Sequence, residues 1–74
     1  MKISPLQKAI YQESYEWMMS YAPMLVDAIE KELKTGNKSK AIHIKATHEL
    51  GPDRQALALR CYQVAMYLET SENE

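Results

Sequence analysis

Apolar residues recur at helical spacing along most of this chain. Leu6, Ile10, Trp17 and Tyr21 fall on one side of a helix that turns by about 100° per residue, and Tyr11, Ser14 and Met18 widen that side. Lys8, Gln12, Glu13, Glu16 and Ser20 fall on the other. The start is well signalled. Ser4 can cap the helix, Pro5 suits its first turn, and Gln7 completes a capping box. The pattern predicts a first helix over 4–21 with the Leu6–Tyr21 stripe turned towards the core.

Pro23 interrupts this pattern, because a proline inside a helix loses a hydrogen bond and clashes with the preceding turn. The first helix either ends there or kinks. Tyr21 and Ala22 are poor N-caps, which speaks against a clean break. Met24 and Ala28 keep the phase of the first stripe, yet an unbroken helix from Pro5 to Lys34 would run about 45 Å. A break with a second helix over 23–34 is the preferred reading. Met24, Leu25, Ala28, Ile29 and Leu33 then point inward, and Gly36 ends the helix.

Two readings stay open for 40–50. Ala41 to Thr47 alternates like a strand, while Ile42, Ala46 and Leu50 share one side of a short helix capped by Ser39. A lone strand has no partner within the chain, so helix is preferred. Asp53 can cap a last helix over 53–69, with 70–74 a frayed acidic tail. That last helix is apolar on two sides. One stripe is Leu57, Cys61, Val64 and Leu68; the other is Leu59, Tyr62 and Met66. A helix on one small core needs a single stripe, so the second predicts cover by a partner chain. With Tyr15, Met19 and Val26, which fall off the main stripe of the first half, Leu59, Tyr62 and Met66 form the expected protein-contact surface.

Composition narrows the field. Seventy-four residues make one domain. A chain this short has marginal stability and leans on disulfides, metals, close packing or association. The single cysteine, Cys61, excludes an internal disulfide. The 46% apolar and 26% charged content is that of a globular protein. Apolar runs are short, Ala22 to Val26 among the longest, so no membrane span is expected. With no signal-peptide pattern at the N-terminus, a reduced, cytoplasmic setting is expected. The formal net charge of −1 hides an uneven layout. Lys34, Lys38, Lys40, Lys45, Arg54 and Arg60 outnumber Glu49 and Asp53 in the middle, between two acidic ends.

Chemistry is sparse. His43 and His48, five apart, fall on different faces of a helix and opposite faces of a strand, so neither geometry builds a metal site. Cys61 lies on the inner stripe as a small hydrophobe, without an evident base. The two glycines, Gly36 and Gly51, stand alone, so phosphate-loop and dinucleotide fingerprints are absent. No catalytic residue, metal or cofactor is expected.

One motif points elsewhere. The segment Ile44 to Leu57 resembles a helix-turn-helix, with Thr47, Leu50, Gly51 and Leu57 at its small, apolar, turn and core positions. In that reading, residues 42–62 bind DNA. Arg54, Gln55 and Arg60 face a groove, and Lys38, Lys40 and Lys45 meet phosphates. Asp53 near the phosphates and the apolar Ala58, Leu59 and Cys61 on the reading helix depart from the motif.

The sequence therefore predicts an all-α bundle of three to four helices, associating as a homodimer. The expected function is non-enzymatic: a small regulatory or adaptor protein that binds and modulates, for example inhibits, a larger protein. Small size without chemistry also fits accessory proteins of phages and mobile elements. The alternative is a helix-turn-helix transcriptional regulator.

Overall fold

A computed structural model of the protein describes residues 3–72. It contains four α-helices: α1 (Pro5–Tyr21), α2 (Pro23–Lys34), α3 (Ser39–Leu50) and α4 (Gln55–Glu72). A 3₁₀ turn, Pro52–Arg54, leads into α4. There is no strand among the described residues.

Local chemistry sets the helix ends. Ser4 and Gln7 form a reciprocal capping box, each side chain accepting from the other's backbone N–H at 3.1 Å. Pro23 breaks the first half. Ala22 leaves the helical region at φ −154° and ψ 77°, and α2 starts afresh at Pro23. At the end of α2, Asn37 N–H donates to the Glu32 carbonyl and Gly36 N–H to that of Leu33. This Schellman arrangement needs a left-handed residue, and Gly36 supplies it at φ +102°.

The segment that alternates like a strand is helical. No neighbouring strand is offered to it, and as a helix it lays Ile42 and Ala46 into the core. Ser39 is its first helical residue, not its cap. Ser39 is buried: its backbone N–H donates to the Glu69 carboxylate at 3.0 Å and its hydroxyl to the Met66 sulfur at 2.9 Å. Two expected boundaries move at the last helix. Asp53 lies in the 3₁₀ turn, so α4 begins at Gln55. α4 also continues past Glu69 to Glu72, with Thr70 buried and its hydroxyl bonded back to the Met66 carbonyl at 2.8 Å. Asn73 and Glu74, the end of the expected frayed tail, lie outside the described residues.

α4 is the central element and packs on each of the other three helices. Its buried residues are Ala58, Cys61, Val64, Ala65 and Met66. Small side chains here let neighbouring helices approach closely. α1 contributes Ser14 and Met18, α2 Val26 and Ile29, and α3 Ile42. Val26, expected on the outside, is fully buried, whereas Met24 and Ala28, expected inside, are exposed.

The first helix departs most from expectation. Its buried face centres on Ser14 and Met18, with Tyr11, Tyr15 and Ala22 half-buried beside them. The stripe Leu6, Ile10, Trp17 and Tyr21 is exposed. It lies roughly a quarter-turn from the buried face by helix geometry. Close approach to α4 explains the rotation. Ser14 is small enough to sit at the contact, where its hydroxyl bonds Gln63 and receives a 3.0 Å bond from Arg60 Nη1. A bulky side chain there would hold the helices apart.

Candidate protein-interaction face

The rotation of α1 assembles an apolar face along its boundary with α4. Leu6 is 71% exposed, Tyr21 63%, Ile10 42% and Trp17 38%. Met24, just beyond the break, is 73% exposed, and Leu59 on α4 46%. Scattered exposed hydrophobes are ordinary, but a contiguous set of large ones marks a contact surface.

Two open grooves run along this boundary. The larger, about 630 Å³, has Trp17 and Tyr21 on one wall and Asp53, Arg54, Ala56 and Leu57 on the other. The second, about 310 Å³, is lined by Ile10, Glu13, Ala56, Leu59 and Gln63. Ala56 and Arg60 line both, so the two are continuous.

Arg60 fixes the centre of this face. Its guanidinium lies 5.0 Å from the centre of the Trp17 ring, and Glu13 Oε1 is 3.7 Å from Nη1. Trp17 also stacks on Tyr21 at 4.7 Å with 13° between the planes. The cation over one ring and the ring on the next hold the aromatics in place on the surface. A preset aromatic pair loses little freedom when a partner covers it.

The residues expected to form the contact surface divide. Leu59 and Met19 are exposed. Met66 is buried beneath Ser39, and Tyr62 is half-buried with its ring 5.1 Å from that of His43. The second stripe of the last helix is therefore covered largely by α3 of the same chain. Tyr15 is half-buried and stacks on Tyr67 at 4.8 Å. Leu6, Ile10, Trp17 and Tyr21 were read from sequence as core. Periodicity locates a stripe but not its neighbour. The available signal was the small Ser14 beside a stripe ending in Trp and Tyr, residue types suited to half-wet surfaces.

The basic residues scatter. Lys38 and Lys40 lie at the start of α3 and Arg54 beyond its end, about 20 Å away along the helix. Lys45 Nζ is bound to Glu32 Oε1 at 2.6 Å across α2 and α3. Asn37 also donates to Glu32. These contacts hold the Glu32 carboxyl below the ordinary glutamate value, the Lys45 hydrogen bond contributing most, and push Lys45 upward in turn. Gln55 donates to the Gly51 carbonyl at 2.6 Å, and Arg60 is engaged by Ser14 and Trp17. The helix that would read bases is the central helix of the bundle.

Cys61 is buried and lines a cleft of about 120 Å³ with Leu25, Ile29, Ile42 and Ala46. Burial pushes its thiol pKa up, away from nucleophilic character. Among the described residues, no three of His, Cys, Asp and Glu come together to hold a metal ion, and no helix is long and apolar enough to cross a membrane. Comparison with known protein families, curated proteins and solved structures finds no match.

Proposed function

We propose that the protein acts without chemistry of its own, as a small regulatory or adaptor protein that binds and modulates a larger protein. The observation that carries this reading is the apolar face of Leu6, Ile10, Trp17, Tyr21, Met24 and Leu59. A 74-residue chain with small side chains at its helix contacts leaves its only tryptophan on the outside. Interface cores are enriched in Trp, Tyr, Met and Arg, the residue types gathered here.

The DNA-binding alternative draws less support. Of its six residues, Lys45, Gln55 and Arg60 are engaged within the chain, and the remaining cations divide between the start of α3 and the turn beyond its end.

The test is capture from the native host with the wild-type chain and Ile10→Asp, a substitution at a partly exposed site that leaves the core intact. Proteins retained by the wild type and lost with Ile10→Asp, at unchanged helicity, are the expected outcome. An identical set with both baits refutes contact through this face.

A further inference from the structure

We propose that the direct occupant of the α1/α4 face is a second copy of this chain, with the two α1 helices antiparallel about an axis between Glu13 and Ser14. This rests on reading the face as a protein interface, and it names what covers the face until a larger partner displaces it.

The stripe is self-complementary about that point. In an antiparallel pair centred there, Ile10 meets Trp17 of the second copy, and Leu6 meets its Tyr21. Each aliphatic of the stripe, Leu6 and Ile10, thus faces an aromatic side chain of the second copy. Each contact occurs twice, as a two-fold interface requires. No parallel arrangement gives this match, since like would then meet like: Trp17 on Trp17 and Leu6 on Leu6.

The extent also fits. On side chains this large, the exposed fractions amount to roughly 600 Å² per copy, before backbone and rim atoms, close to the ~800 Å² each partner buries in a standard stable complex. Leu59 and Ala56 extend the face from α1 onto α4, so the second helix seats in a groove and not on a single ridge.

Charge permits the pairing. The stripe carries no lysine, and its central charge is Glu13. The two Glu13 carboxylates approach at the axis, a like-charge contact that Arg60 Nη1, 3.7 Å from each, offsets. The neighbouring Ser14 hydroxyl points inward to Gln63 and Arg60, so it stays bonded within its own chain at the crossing.

Sedimentation equilibrium tests the assembly and cross-linking tests its geometry. The wild type is expected at twice the 8.5 kDa chain mass. Ile10→Asp and, independently, Tyr21→Lys are expected at the single-chain mass with unchanged helical circular dichroism. Tyr21 is the more exposed site, so its substitution cannot act through the core. In a Cys61→Ala background, Glu13→Cys is expected to give a covalent dimer with a short bis-maleimide. Leu6→Cys is expected to give none, its two copies lying about 22 Å apart along the helix pair. A monomeric wild type overturns the second copy, as does cross-linking of Leu6→Cys without Glu13→Cys. A monomer that still loses captured host proteins on Ile10→Asp leaves the contact reading standing. A monomer whose captured set is unchanged removes both.

Discussion

Arg60 shows how one residue links core and surface. Its guanidinium donates to the buried Ser14 hydroxyl on one side and lies over the exposed Trp17 ring. It also lines both grooves of the face. Glu32 plays a different part, tying α2 to α3 through Lys45 and to the α2–α3 loop through Asn37. Its carboxyl is held below the ordinary value, so it binds protons less readily folded than unfolded. The stability it adds is present above the ordinary glutamate pKa of about 4.3 and is lost as pH falls through its lower folded value. The difference in urea midpoint between wild type and Glu32→Gln is therefore expected to shrink between about pH 6 and pH 3. The pair is solvent-exposed, so the difference is small at its largest. A difference that grows on acidification contradicts the assignment.

At the scale of elements, the ends of the first two helices are where sequence and structure agree best, whereas Ser39 and Asp53 do not cap the last two. Ser4, Gln7, Pro5, Pro23 and Gly36 act through local backbone chemistry, which neighbours in sequence largely determine. Gly36→Ala places a Cβ on a left-handed residue and is expected to cost about 1–2 kcal/mol in chemical denaturation. A neutral result would mean that the loop can rearrange around it.

Faces were less legible. The moment of α1 points to its bulkiest stripe, but the helix is turned by the close contact at Ser14, a long-range pairing with Gln63 and Arg60. The last helix is the reverse case. Its two stripes correctly imply two covers, yet the cover for Tyr62 and Met66 comes from α3, an element whose own alternating pattern had left its type open. The surplus apolar surface of the chain was readable from the start, but its location was not.

The whole molecule is an ellipsoid of 32 × 24 × 19 Å around a core of modest side chains. Met18, Val26 and Val64 are the largest apolar side chains fully buried, while the tryptophan and several leucine, isoleucine and methionine side chains stay at the surface. Stability and function converge on this distribution. A small core gains from any cover over the α1/α4 face, and in the proposed function that cover is also how the protein acts. The most direct test of that claim uses Trp17, the chain's only tryptophan and a reporter at the centre of the face. Acrylamide quenching is measured on purified wild type and on Ile10→Asp at equal concentration, with helicity checked in both. The wild-type tryptophan is expected to be shielded beyond its 38% exposure in a single chain, and Ile10→Asp to quench more strongly. Equal quenching of two equally helical proteins would show the face bare in the purified protein and contradict its cover by a second copy.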